Sequence, residues 1–414
     1  GLILIVMTII ALVLANTSLY ETYAHFFHMN IDFNVGSWAL SHSLHHWIND
    51  GLMAIFFFLI GLEIKREITA GELSNLKVAI LPILAAIGGM VFPALIYTSL
   101  NYGTVGSAGW GIPMATDIAF AISALVLLGK RVPTALVTFL VALAIVDDLG
   151  AVIVIALFYT DTINLMSLGL AGLMFAVMLV FNRLGIHMLL PYFIVGLSMW
   201  FFMLESGVHA TIAGVLAALA IPSTPKRVPS TLTKKAKDLL DEYEKYPVNE
   251  NYQIHEEQKR ILSEIKHKIY EVETPAARLE HNLHLPVALI IIPIFALANA
   301  GIKIDFSSIG TTIVEPVSLG IILGLIFGKV IGIFGVSYVA VKLKIAQLPK
   351  DSSMSQVFGV AFLGGIGFTM SIFVADLAFV NSPELILQAK IGILSASLFS
   401  ALFGYLWLRT ISKK

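Results

Sequence analysis

Twelve mostly apolar runs follow one another along this chain, near residues 1–16, 47–64, 78–100, 107–128, 133–158, 163–182, 187–204, 206–222, 285–300, 316–341, 354–379 and 385–408. About 20 such residues suffice for a helix to cross a bilayer. A hydrocarbon layer offers the backbone no water, so only helices or closed barrels cross it. Runs of this length therefore predict an all-α polytopic membrane protein of about twelve transmembrane helices. Composition agrees: the chain is 57% hydrophobic and 13% charged, whereas a soluble domain carries about 25% charged residues. Gly1 already lies inside an apolar stretch, which points to a chain that begins earlier. No small-residue cleavage pattern follows residues 1–15, so this run is read as a membrane helix and not a signal peptide.

Basic residues concentrate in cytoplasmic loops, and here they fix an orientation. With both termini cytoplasmic, the inner segments hold Lys65, Arg66, Lys77, Lys130, Arg131, Arg183, eleven residues of 223–284, Lys342, Lys344, Lys350, Arg409, Lys413 and Lys414. That is 23 of 26 Lys and Arg; Lys303 alone falls in an outer loop, and Lys329 and Lys390 fall inside runs. The net charge of −1 argues against a nucleic-acid partner, and the absence of cysteine excludes disulfides, thiolate metal sites and cysteine nucleophiles.

Residues 223–284 stand apart, with eleven basic and eleven acidic residues. They divide the chain into spans 1–8 (residues 1–222), a charged cytoplasmic insertion, and spans 9–12 (residues 285–414). Ile254, Ile261, Ile265, Ile269 and Val272 recur at helical spacing, which predicts an amphipathic helix in the insertion. Residues 29–40, "MNIDFNVGSWAL", alternate around a glycine in the manner of a short outer β-hairpin.

Charge inside the runs is the next constraint, because a central Asp or Lys costs about 2.5–3.5 kcal/mol on insertion scales. Glu63, His209, Asp376 and Lys390 lie near run ends, where Asp376 and Lys390 are placed to pair. Asp117, Asp147, Asp148 and Lys329 are central, so three separate helices carry charge to one depth. Adjacent helical residues point about 100° apart, which gives Asp147 and Asp148 different surroundings. One can face a cavity and the other a helix carrying Lys329. Carboxylates suit hard cations such as Na⁺ and Li⁺, by extension of the rules for hard divalent ions, and they also bind H⁺. A site that exchanges one for the other, with alternating access, is an antiporter.

Two runs are interrupted by Gly and Pro, at "WGIPMATDIAF" and "FLGGIGFTMSIF". Their aligned positions pair Thr116 with Thr369, Asp117 with Met370 and Phe120 with Phe373. Interrupted spans at corresponding places in two halves point to a transporter's binding site and inverted repeats. Broken helices leave unpaired backbone ends; Asp117 suits the positive N-terminal ends and Lys329 the negative C-terminal ends.

The segments "PMATDIAFAISAL", "VALAIVDDLGAVIVIALFYT", "ESGVHATIAG", "RLEHNLH", "FALANAG" and "GFTMSIF", in this order, resemble the NhaA family of bacterial Na⁺/H⁺ antiporters. The resemblance runs from the first span to the last. It departs at 223–277, where the best-known member of the family has a much shorter loop. It implies that Asp148 is the central cation and proton carboxylate and Asp147 a second titrating one, exchanging between Lys329 and the ion site. Thr116 and Asp117 would belong to the broken-helix part of the site, with Na⁺ or Li⁺ held by Asp148, Asp147 and Thr116. Glu63, Glu280, His281 and His284 would form a cytoplasmic pH-responsive funnel. It further implies electrogenic export of sodium driven by inward protons, a bacterial inner-membrane location, a homodimer joined through residues 29–40, and no cofactor. His209 is read as a packing residue.

Two other classes fit less well. An intramembrane aspartyl protease needs two carboxylates converging on one water, and adjacent residues of one helix diverge. A channel would favour a continuous pore and oligomeric symmetry, against the two-half arrangement here.

Overall fold

The computed structural model describes residues 2–35, 38–160, 163–225, 230–246, 255–305 and 309–411, and almost all of its regular structure is helical. Among the described residues, eight helices are long and apolar enough to cross a membrane: Leu44–Thr69, Lys77–Asn101, Ser107–Val126, Thr134–Phe158, Leu165–Arg183, Pro275–Asn299, Pro316–Lys342 and Pro383–Ile411. Two bent pairs pass the same test: Leu2–Ala15 with Tyr20–His28, turned by 113°, and Met354–Leu363 with Phe368–Ala378, turned by 47°. Leu189–Glu205 and Thr211–Ala220 are shorter apolar helices. Numbered in chain order with Leu2–Ala15 as span 1, these correspond to the twelve expected runs. Tyr20–His28 then leaves span 1 almost at right angles.

The ninth span begins ten residues before the apolar run. Thr274 accepts the Ala277 N–H at 3.2 Å and Pro275 occupies the first turn, a strong helix start. Arg278, Glu280, His281 and His284 therefore ride on the polar first turns of span 9, which hydropathy alone leaves in the loop. Before them, helices Ser230–Tyr243 and Glu256–Val272 form a charged hairpin. Arg260 reaches Glu242 at 3.0 Å between them, and the Ala276 N–H bonds Pro222 O at 3.1 Å across the base. Along the expected apolar stripe Ile261 is fully buried but Ile269 is half exposed. Ile254 lies outside the described residues.

At the opposite face, β1 (Asn30–Val35) pairs antiparallel with β2 (Trp38–Ser43), with Asn30 opposite Ser43 and Val35 opposite Trp38. The pairing extends past the expected residue 40 because Ser41, His42 and Ser43 continue opposite Asp32, Ile31 and Asn30.

The packed interior joins spans 2, 9 and 11 through Phe373, whose ring centre lies 5.6 Å from Phe57 and 6.1 Å from Phe295. Span 6 is peripheral, with only 11% of its apolar window buried. Span 10 lies against span 3 along glycines 320, 324, 328 and 332, a small-residue ridge that permits close backbone approach. A Cβ on Gly332 would stand 2.2 Å from Gly88 O, and one on Gly328 would stand 2.7 Å from Pro93 Cα. Span 10 is wound as π-helix over Gly324–Gly328 and Val330–Gly335, on either side of Lys329. Such wide turns recur at functional positions. Gly332→Ala is expected to destabilise the detergent-purified protein by about 1–3 kcal/mol through overpacking, read as a lower thermal midpoint. Gly335→Ala, with nothing within 4 Å of its Cβ, serves as the comparison and leaves the midpoint unchanged or raised. Equal behaviour of the two variants would refute the ridge contact.

Candidate functional site: a crossing of two broken helices

Span 4 is a 3₁₀ helix over Ser107–Met114, extended at Ala115–Asp117, and α-helical from Ile118 to Val126. Span 11 breaks between Leu363 and Phe368, where Gly364, Gly365 and Gly367 stand. The two breaks satisfy each other's backbone. The Asp117 N–H donates to Ile366 O at 2.6 Å, and Thr116 Oγ1 donates to Gly364 O at 2.8 Å. Unpaired groups at these four helix ends would be costly in a dry interior.

Asp117 binds the start of both second halves. Its Oδ1 accepts the Phe120 N–H at 3.1 Å, while Oδ2 accepts the Thr369 N–H at 3.1 Å and the Thr369 hydroxyl. One carboxylate thus caps two helix N-termini and opposes their positive dipole ends. Phe120 and Phe368 pack edge to face beside it at 5.2 Å.

Lys329 is fully buried, and its Nζ donates to Asp147 Oδ2 at 2.8 Å and to Thr116 Oγ1 at 2.9 Å. Its partners are therefore a carboxylate and a hydroxyl, not the helix-end carbonyls that the interrupted spans suggested. Asp147 and Asp148 are 1% and 2% exposed, neighbours on span 5, yet unlike in their contacts. Asp147 is tied to Lys329, and only its Oδ1 lacks a donor. Asp148 forms no ion pair with Lys329, and no donor among the described residues reaches its Oδ1. Divergence of adjacent helical residues gives one carboxylate a counter-ion and leaves the other uncommitted.

The structure thus brings Thr116, Asp117, Asp147 and Lys329 into one connected network, with Asp148 beside it. Glu63, Glu280, His281 and His284 form no part of that network. They belong to the face that carries the charged hairpin, where Arg66 bridges Glu280 and Glu67, the latter at 2.9 Å. Glu67 also accepts the Glu72 N–H at 3.0 Å and is buried. His281 and His284 are exposed. His209 bonds Tyr159 O at 2.6 Å through Nε2, on the opposite face.

The parts played by Thr369, Arg66, Glu67 and the glycines of span 10 went unnoticed in the sequence. Thr369 completes the Asp117 cap, and its alignment with Thr116 was the available signal. Arg66 engages Glu280 and Glu67, and the position of Arg66 and Glu67 one turn beyond Glu63 would have found them. The four-residue spacing of glycines in span 10 marks the surface that holds Lys329 against span 3.

Relatives share this whole architecture in sequence. The Na⁺/H⁺ antiporter 1 family profile matches residues 1–408. The Na⁺/H⁺ antiporter NhaA of Sulfurimonas denitrificans is 66% identical over 413 residues, covering 100% of this chain and 93% of the relative. Antiporter NhaA 1 of Saccharophagus degradans is 49% identical over 412 residues, with 99% and 89% covered. NhaA of Wolinella succinogenes is 45% identical over 409 residues, with 99% and 90% covered. Matches of this extent, on a helical chain with interrupted spans, make the protein a multi-pass transporter and not an enzyme: it belongs to the NhaA family of Na⁺/H⁺ antiporters.

Proposed function

We propose that the protein exports Na⁺, or Li⁺, in exchange for inward H⁺, with both ions competing for Asp148 and Asp147. The observation that carries this reading is the asymmetry of the pair: Asp147 is bonded to Lys329 at 2.8 Å, while Asp148 Oδ1 is buried without a donor. An uncommitted buried carboxylate is destabilising unless it is protonated or holds a cation. Asp148 therefore alternates between those two occupants. Asp147 becomes a second ligand when it releases Lys329, and Thr116, already bonded to Lys329, adds its hydroxyl oxygen. Thr116 and Asp117 hold the crossing in register. As one monovalent cation leaves, Asp148 takes up one proton and the Lys329–Asp147 pair, which gave up a proton when the cation parted it, takes up a second, so more positive charge enters than departs and exchange is electrogenic.

The face bearing Arg66, Glu67 and the charged hairpin is cytoplasmic on the positive-inside rule, with both termini on that side of a bacterial inner membrane. The Glu63, Arg66, Glu67 and Glu280 group, with His281 and His284 beside it, lies on the cytoplasmic side and makes exchange responsive to pH. Arg66 joins Glu280 to Glu67, so a proton gained by Glu280 changes the hold of Arg66 on both. The β1–β2 hairpin on the outer face joins two copies into a homodimer. The ions are the only small molecules required, with no cofactor.

The direct test is proton release from purified protein on addition of Na⁺ or Li⁺ at several pH values. Release that rises with cation and vanishes at low pH is expected. Sodium binding with no proton released would refute competition. Lys329→Ala is expected to reduce exchange and displace its pH profile by about one unit or more, given ~1.36 kcal/mol per unit, as read from quenching of a pH dye in everted vesicles. An unchanged profile would remove Asp147 from the titrating pair.

A further inference from the structure

On the face of the β1–β2 hairpin, helix Tyr20–His28, the turn between spans 7 and 8, and the ends of spans 2, 9, 11 and 12 bound an open cavity of about 790 Å³. Asp376 of span 11 and Lys390 of span 12 stand in its wall, with Asp376 Oδ1 3.0 Å from Lys390 Nζ. Their side chains are only 9% and 12% exposed. Asp376 Oδ2 is buried and no donor among the described residues reaches it.

This pair repeats the chemistry of the centre. In both places a lysine holds one oxygen of a carboxylate, at 2.8 and 3.0 Å, and leaves the other uncommitted. The two places are also mechanically joined. Asp376 is seven residues beyond Thr369 on one helix, about 10 Å at 1.5 Å per residue, and Thr369 is bonded to Asp117. Near the pair, Asn49, which also lines the cavity, accepts from Asn299 Nδ2 at 2.9 Å, and Asn299 Oδ1 meets His45 Nε2 at 2.7 Å. Amide and carboxylate oxygens suit a hard monovalent cation by the same extension that applies at the centre.

We propose that Asp376 is a second cation site, of low affinity, that stages Na⁺ or Li⁺ on the outer side of the transport path. Lys390 occupies the carboxylate between passages and gives it up to an arriving ion. The proposal rests on the antiporter reading and its orientation, and it goes beyond them in giving the outer half of the path a ligand of its own.

The test is the half-saturating Na⁺ concentration for exchange, measured separately from each face in right-side-out and everted vesicles. Asp376→Asn is expected to raise the value at the outer face about five-fold, the scale of a partly exposed charge, and to leave the inner value unchanged. The double variant Asp376→Asn with Lys390→Gln removes the unpaired ammonium and is expected to recover only part of the loss. Equal effects at both faces, or no effect, would overturn the proposal in favour of a structural pair. Full recovery in the double variant would also overturn it, because Asp376 would then only neutralise Lys390. Absence of exchange in the unaltered protein would instead refute the antiporter reading.

Discussion

Asp148→Asn is expected to abolish Na⁺-driven proton movement while leaving the protein folded and at least as stable as before. Asparagine has nearly the shape of aspartate but neither binds a proton at neutral pH nor carries charge. Asp148 is 2% exposed and its Oδ1 has no protein donor, so the substitution breaks no hydrogen bond. Removing an uncompensated buried charge relieves a desolvation penalty, and stability gained at a functional group is the usual counterpart of activity lost there. Asp147→Asn makes the opposite case. It takes the counter-ion from Lys329, which is fully buried, and breaking a buried pair from one side costs about 3–5 kcal/mol. Dye quenching in everted vesicles should therefore show no exchange for Asp148→Asn, with a thermal midpoint equal to or above the parent. Asp147→Asn should melt lower. Wild-type exchange in Asp148→Asn would remove the central carboxylate from the mechanism.

How much of this was legible in the residues depended on the range of the interaction. The membrane class and the positions of the spans follow from local hydropathy, a property each run carries by itself. Asp147 and Asp148 stood out as candidates because nothing structural calls for adjacent carboxylates amid "ALAIV" and "LGAVIVIAL". Helical geometry required them to diverge, but which one faces Lys329 depends on the rotation of span 5 within the bundle. That rotation is set by packing against other helices, outside the reach of a single run. The start of span 9 was missed for a related reason: Thr274 and Pro275 begin a helix by capping, while Arg278, Glu280 and His281 make its first turns too polar for a hydropathy scan. The glycines of span 10 were visible at a spacing of four, yet their partners Gly88 and Pro93 lie more than 200 residues earlier. The crossing of the breaks was similarly half visible: two interruptions could be aligned, but the bond from Asp117 to Ile366 joins residues that no local pattern connects.

That crossing sets the second large effect. Asp117→Ala is expected to destabilise the fold by about 3–5 kcal/mol, because three donors lose a charged acceptor and hydrogen bonds to charged groups are worth roughly 1.5–3 kcal/mol each, without full additivity. The donors are the Phe120 and Thr369 amides and the Thr369 hydroxyl, and Thr369 is itself buried. Both amides belong to first turns of helices whose N-terminal dipoles converge on Asp117, so the loss is electrostatic as well as geometric. Asp117→Asn separates these contributions. An amide oxygen can still cap one helix, whereas the charge facing both is gone and an N–H₂ now meets the second. Its thermal midpoint in detergent should fall between those of the parent and Asp117→Ala. The Asp117→Asn protein that folds should still release protons on sodium addition, since Asp147, Asp148 and Lys329 retain their contacts. Normal stability in Asp117→Ala would mean that the two broken helices are held together elsewhere. Normal stability combined with abolished exchange would move Asp117 from the scaffold of the site to its ion-binding part.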